Sequence, residues 1–424
     1  MTSATTETPK ELVPVHGGLP EPVDRVVPLR DRKKFLAGAA GLPRLRVTRA
    51  DLSTVYRLGD GALSPLPGPM GEEAWYRALD EAVVLSGGRP YAWGIPLSLP
   101  VTDAETASLA RGASAALESE DGEIVAVVDD LEVFAWDKAR YVKGVYGTER
   151  FDHPGGDQVA KDPRTKLLGG AIRTLPQRHH EDYGQYMLSP RMTRAFLRDR
   201  KFERALAFQT RNPLHRAHEY ALVAGAERLT AAGFFTGVVL NPLVGELKGD
   251  DVPAVTRMRC YKTLHDLELL GQGDKNEALW AEVGYDLSDV FELIGLDMKM
   301  FYGGPREAIM HAVYRQNYGF SDLVIGRKHA DAPFFDGKPI WGDFDAQQVF
   351  DELAGELHIQ PCKIGFAAFY ESLGRVDLTD DHPDEKPYAI SGTKVREQLQ
   401  SGARPDPRVM RPEIADILIE AYRA

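Results

Sequence analysis

From about Arg191 onward the chain alternates short apolar runs with helical stripes, and this alternation limits the fold more than any other feature. Leu206-Ala-Phe208, Phe234-Phe-Thr-Gly-Val-Val-Leu240 and Leu323-Val-Ile325 read as strands, as does the stretch at residues 289–300. Between and after them, residues 213–232, 254–270, 305–318 and 345–353 carry helical spacing, the third with Pro305 in its first turn. Strands separated by helix-length segments imply a parallel sheet with crossover helices. A ligand then belongs at the carboxyl ends of the strands, near the point where strand order reverses.

One such strand end carries the run Gln209-Thr-Arg-Asn-Pro-Leu-His-Arg-Ala-His-Glu219. Asn212 is a favoured N-cap and Pro213 a favoured first helical residue, so the helix is expected to begin there. A helix N-terminus presents unpaired N–H groups and the positive end of its dipole, which stabilise an anion. His215 and His218 are three apart and share a face, while Gln209 and Arg211 lie on the preceding loop. A His-x-x-His pair alone is most often two solvated side chains. The combination with Gln and Arg points to a phosphate cradle, and the spacing does not match the zinc pattern H-E-x-x-H.

Two further runs have the same character. Gly326-Arg327-Lys328-His329-Ala330 follows the strand Leu323-Val-Ile325 and concentrates positive charge in a chain whose net charge is −12. Standing alone, it is equally well read as a basic surface loop. Ile390-Ser-Gly-Thr-Lys-Val-Arg-Glu397 offers Ser391 and Thr393 as caps and Gly392 for close backbone approach. Its Lys394 and Arg396 are poorly placed at a helix N-terminus unless an anion sits beside them. An ordinary cap explains most sequences of this kind.

The first ~175 residues read as a mostly β domain. Apolar runs at residues 123–128 and 131–136 flank an Asp129-Asp130 turn, and one helix is expected at residues 72–85. Residues 173–186, which include the adjacent pair His179 and His180, read as a linker. The acidic balance argues against a nucleic-acid partner held by general electrostatics. The only cysteines, Cys260 and Cys362, lack near neighbours and are expected as buried thiols. No apolar run reaches about 18 residues and the first residues lack a secretory core, so a cytoplasmic protein with no membrane partner is expected. No Walker-type phosphate loop is present in the sequence.

Together the three runs resemble the ATP sulfurylase family, which carries Q-x-R-N-P-x-H-x-x-H, G-R-D-H-A and I-S-G-T-x-x-R in this order. The likeness extends through Leu63-Ser-Pro-Leu-Pro-Gly-Pro-Met-Gly71, Val145-Tyr-Gly-Thr148, Asn241-Pro-Leu-Val-Gly245, Met258-Arg-Cys-Tyr261 and Gly304-Pro-Arg-Glu-Ala308. The resemblance implies a multidomain α/β protein with three parts. A PUA-like β domain would span residues 1–178, a HUP-type (Rossmann-like) nucleotidylyltransferase domain 179–355, and a small α/β domain 356–424. No adenylylsulfate kinase is implied, since its phosphate loop is missing.

It further implies that sulfate attacks the α-phosphorus of ATP, giving adenosine 5′-phosphosulfate and pyrophosphate. Gln209 and Arg211, with the backbone N–H of Ala330, would hold sulfate. Asn212 would meet the α-phosphate, and His215 and His218 the β- and γ-phosphates. Thr210, Gly326, Arg327 and His329 would line the nucleotide. Phe366, Ala367 and Ala368 would meet adenine through backbone groups, and Ser391, Gly392 and Thr393 would support a helix terminus. Mg²⁺ would arrive with ATP. The cysteines of the zinc knuckle in some relatives are replaced here by Glu371 and Gly374, so no structural zinc is expected. Assembly ranges from monomers to hexamers in the family and is left open. Lys328 stands where the family has Asp, and Asp331-Ala-Pro333 also departs from the pattern, so a different oxyanion or phosphorylated acceptor is the alternative. An RNA-binding role for the PUA-like part is a remoter one.

Overall fold

The computed structural model describes residues 12–107, 109–245, 252–388 and 392–423, organised around two five-stranded sheets. In the N-terminal half the strand order is Arg44–Arg46, Ala115–Glu118, Ile124–Ala135, Lys166–Thr174, Leu99–Val101. Its first pair is parallel and the others antiparallel. The two strands expected around Asp129-Asp130 are one strand. Lys166–Thr174 pairs on both sides of a register shift there, and Asp130 takes φ 55, so the aspartates form a bulge and not a turn. The helix expected at residues 72–85 stops at Glu81. Ala82 is left-handed at φ 56, and Val83–Ser86 pairs with Arg89–Ala92 as a hairpin.

The second sheet contains β1 (Arg204–Phe208), β2 (Thr236–Leu240), β3 (Phe291–Leu293), β4 (Asp322–Ile325) and β5 (Gln360–Lys363). All four pairings are parallel, in the order β3-β2-β1-β4-β5. From β1 the chain builds outward through β2 to β3, then returns to place β4 on the other side. The reversal therefore lies between β1 and β4. The crossover after β1 is α1 (Arg216–Ala231), and the one before β4 is α2 (Gly304–Tyr318). A final hairpin pairs β6 (Ala367–Tyr370) with β7 (Arg375–Leu378).

Several expected elements are shorter than their apolar patterns. In the stretch at 289–300 only β3 is a strand, following the short helix Leu287–Val290, the helix expected at 254–270 ends at Asp266, and 345–353 holds one α-helical turn followed by a 3₁₀ turn. Cys260 and Cys362 are both free and buried, and burial pushes their thiols up to about 12 and about 11. Among the described residues no helix is long and apolar enough to cross a membrane.

α2 is buried on all sides from Glu307 to Tyr318, as a helix must be when it is packed between two layers. The side-chain amide of Asn317 donates to the carbonyls of Ala62 and Ser64, and Arg306 donates to those of Ala78, Leu79 and Gly94. At Gly94 a Cβ would lie 1.8 Å from the Arg306 carbonyl oxygen, so only glycine permits this approach. One hydrophobic core runs through both halves.

A second tie is Arg57, whose guanidinium meets Asp60 at 2.7 Å, the Asp297 carbonyl at 3.0 Å and Gln177 Oε1 at 2.9 Å while nearly fully buried. Arg57→Ala would strand a buried carboxylate and is expected to cost about 3–5 kcal/mol. Urea unfolding of the two proteins checks this.

Candidate active site

The loop after β1 and the loop after β4 leave the sheet side by side at the reversal. Gln209 and Arg211 come from the first, and Gly326, Arg327, His329 and Ala330 from the second. The first loop is held out of helical conformation by partners distant in sequence. Arg257 donates to the Arg211 carbonyl at 2.8 Å, and the Tyr261 hydroxyl donates to the Asn212 carbonyl at 2.9 Å. Thr210 adds its hydroxyl to the same Asn212 carbonyl at 2.9 Å.

α1 accordingly begins at Arg216, three residues later than expected. Its N-cap is His215, whose Nδ1 accepts the His218 N–H at 3.3 Å, and not Asn212. The two imidazoles stack with centroids 3.8 Å apart and an interplanar angle of 20°. Burial lowers His215 to about 3, with repulsion from His218 the next cause. Desolvation lowers His218 as well, although one side of that residue stays open to solvent. The burial of both rings disfavours the imidazolium in the free protein.

Arg211 lies over the Tyr302 ring, 5.3 Å from its centroid, with a nitrogen 3.4 Å from the Tyr302 hydroxyl. Gln209 Nε2 lies 3.4 Å from His311 Nε2 on α2, and His311 Nδ1 lies 2.8 Å from His329 Nε2. His311 thus joins the two loops. Behind it, the fully buried Glu307 accepts the N–H groups of Phe301 and Gly303, both at 2.9 Å. Burial raises its carboxyl to about 7 against those two hydrogen bonds. Desolvation holds His311 and His329 well below the usual histidine range.

The second loop is strained where it faces the first. Lys328 and Ala330 take φ 50 and 56, and Tyr302 takes φ 57, a region that side chains seldom adopt. The Ala330 carbonyl accepts the Gly304 N–H at 3.1 Å, which fixes the loop to the start of α2. The Lys328 ammonium sits 3.6 Å from Asp343, and its backbone N–H donates to the Asp343 carbonyl at 2.8 Å. Arg327 also meets Asp343, at 2.7 Å, and stacks over the Phe366 ring at 3.9 Å. That contact brings residues 366–368 to the β4 loop.

The Phe366 carbonyl accepts the Thr379 N–H, and Ala368 pairs with Asp377. Antiparallel alternation then leaves the N–H and C=O of Ala367 facing away from β7. Gly392 is the first residue of the helix Gly392–Gln400 and is exposed, while Ser391 and the side chain of Thr393 lie outside what the structure describes. Among the described residues no hydrogen bond joins Gly392 to the loops after β1 and β4.

Tyr302, Arg257, Tyr261, Glu307, His311 and Asp343 carry no role in the reading from sequence. Tyr261 and Glu307 fall within runs that carry the resemblance, but α2 also holds Arg306 and Arg315, so charge and spacing do not single out Glu307 and His311. Among the described residues no three or more His, Cys, Asp or Glu side chains gather in a way that could hold a metal ion.

Comparison with known proteins gives the chain a family. The ATP-sulfurylase family matches residues 184–421, and the PUA-like domain family matches residues 13–177. The chain is 49% identical over 414 residues to a sulfate adenylyltransferase of Pyropia yezoensis, covering 97% of each. It is 36% identical over 423 residues to the sulfate adenylyltransferase of Nostoc punctiforme, covering 99% of this chain and 98% of the relative. A solved structure described as a hexameric APS kinase from Thiobacillus denitrificans has the same fold over 96% of this chain and 68% of that one. Its TM-score is 0.70 at 19% identity. With two strands' loops converging on one cleft and relatives matched along nearly its whole length, the chain belongs to the ATP sulfurylase family.

Proposed function

We propose that this protein is a sulfate adenylyltransferase, converting ATP and sulfate to adenosine 5′-phosphosulfate and pyrophosphate. A sulfate oxygen bonds to the α-phosphorus as the bridging oxygen on its far side departs with pyrophosphate. Sulfate is already an anion and needs no general base, so the protein contributes positioning and charge neutralisation. The observation that carries this reading is the meeting of Gln209, Arg211, His311 and His329 at the strand-order reversal, with Gln209 and Arg211 on the loop that leads to two stacked imidazoles.

In this reading Arg211 and Gln209 hold sulfate, joined by the Ala330 N–H. Asn212, with Thr210 beside it, meets the α-phosphate. His215 and His218 meet the β- and γ-phosphates, whose charge raises both imidazole pKa values and draws protons onto them. Gly326, Arg327 and His329 line the nucleotide, and the outward backbone groups of Ala367, between Phe366 and Ala368, suit the edge of adenine. Mg²⁺ enters as part of MgATP, held by phosphate and water. Ser391, Gly392 and Thr393 are assigned a supporting part at a helix terminus. Residues 1–178, 179–355 and 356–424 are the three units of the chain, the last lending β5 to the central sheet.

Purified protein given MgATP is expected to release pyrophosphate in proportion to added sulfate. Pyrophosphatase is included to pull the reaction forward. Selenate, molybdate and phosphorylated metabolites serve as the comparison panel. Release that ignores sulfate but follows another acceptor would replace this reading with a different adenylyl transfer. Lys328 is the residue that favours such an acceptor, and its pairing with Asp343 weakens that case.

A further inference from the structure

Gln209 is placed with its amide nitrogen 3.4 Å from His311 Nε2, while its Oε1 is buried and has no hydrogen-bond partner. The oxygen and nitrogen of an amide occupy nearly the same space, so their assignment follows from the network around them. His311 Nε2 also lies 3.5 Å from Glu307 Oε1. The Glu307 oxygens receive two backbone N–H groups, the pattern of an acceptor carboxylate. A carboxylate there favours the His311 tautomer with its proton on Nε2. That N–H cannot face the Gln209 NH₂, because two donors would then oppose each other. The consistent arrangement turns the Gln209 oxygen toward His311. His311 Nδ1 then accepts the Nε2–H of His329 at 2.8 Å.

We propose that His311 is a positioning residue that fixes the Gln209 amide with its NH₂ group facing the oxyanion, and so favours sulfate over hydrogenphosphate. The inference rests on the assignment of Gln209 to the oxyanion. Sulfate at neutral pH carries no proton and only accepts hydrogen bonds. Hydrogenphosphate carries one O–H, which needs an acceptor that a fixed NH₂ does not supply. A buried donor left without a partner is costly, so the preference follows from the orientation of one amide.

The test compares wild type with His311→Phe, His311→Asn, His311→Gln and Gln209→Ala in sulfate-dependent pyrophosphate release, about one pH unit above the value near 7 for Glu307. Michaelis constants are measured for sulfate and for ATP, together with inhibition by inorganic phosphate. His311→Phe and His311→Asn are expected to raise the sulfate KM about tenfold, the worth of one buried hydrogen bond. The ATP KM should stay within about twofold, and the margin between phosphate Ki and sulfate KM should narrow by the factor lost for sulfate.

His311→Gln puts an amide nitrogen near the former Nε2 and is expected to recover most of the sulfate KM. An unchanged sulfate KM in His311→Phe, when Gln209→Ala raises it, overturns the inference. Equal losses in all three His311 variants, with a raised ATP KM and a lowered thermal midpoint, also overturn it, in favour of a packing role. If Gln209→Ala itself leaves the sulfate KM unchanged, the assignment of Gln209 fails first and the inference with it.

Discussion

Arg211→Ala is expected to lower sulfate-dependent pyrophosphate release by about 10²–10³-fold, the effect of removing one preorganised charged donor from a developing anionic centre. Arg211 is half-buried, its backbone is held by Arg257, and its side chain lies over Tyr302, so its position is set before any ligand arrives. The loss should fall on kcat/KM for sulfate and leave thermal stability nearly unchanged. Arg211→Lys keeps the charge but loses the planar fork, and should recover only part of the loss. Steady-state kinetics on the three proteins decide the point. An Arg211→Ala enzyme with wild-type kcat/KM for sulfate would remove this residue from the acceptor site.

His215→Asn should produce the second large effect, lowering turnover by about 10²-fold while retaining the fold. His215 has two separable parts in the structure, the cap of α1 and an imidazole stacked on His218. Asn replaces the cap well, so stability should change by less than about 1 kcal/mol, whereas His215→Ala loses cap and ring together.

The pH dependence follows from the lowered His215 value. Burial lowers the folded ring to about 3, whereas in the unfolded chain it returns to the ordinary histidine value of 6.5. Below 6.5 the unfolded state therefore binds more protons, and stability falls as pH drops toward 3. Pyrophosphate bound beside His215, as proposed, would favour the imidazolium and reverse the sign for the complex. Calorimetry in buffers of different ionisation enthalpy should show proton uptake when pyrophosphate binds at mildly acidic pH, and less uptake in His215→Asn.

The parallel sheet and the carboxyl ends of β1, β2 and β4 were legible because apolar runs and helix stops are local, whereas the end of β3 was misplaced and β5 was not read as a strand. The same locality misplaced the start of α1. Asn212 and Pro213 make a good helix start by their own chemistry, but Arg257 and Tyr261, 46 and 49 residues downstream, hold the carbonyls of residues 211 and 212 and keep the loop open. The Asp129-Asp130 pair misled in the same way, since only the partner strand decides between a bulge and a turn.

The three runs that carried the resemblance were readable as motifs, and two of them meet at one cleft. What joins them was not readable. His311 is 102 residues from Gln209 and 18 from His329, and nothing in its helical spacing marks it as the link. Glu307, four residues earlier on the same helix, is likewise unremarkable until its burial is seen.

The account divides one cleft between an attacking oxyanion and a departing pyrophosphate, and a crystal structure of the complex with adenylylsulfate and pyrophosphate tests that division most directly. The predicted result places the sulfate group against Arg211, the Gln209 amide and the Ala330 N–H, with pyrophosphate beside His215 and His218. A sulfate group lodged instead against Lys328 and Arg327, with Gln209 and Arg211 free of ligand, would contradict it.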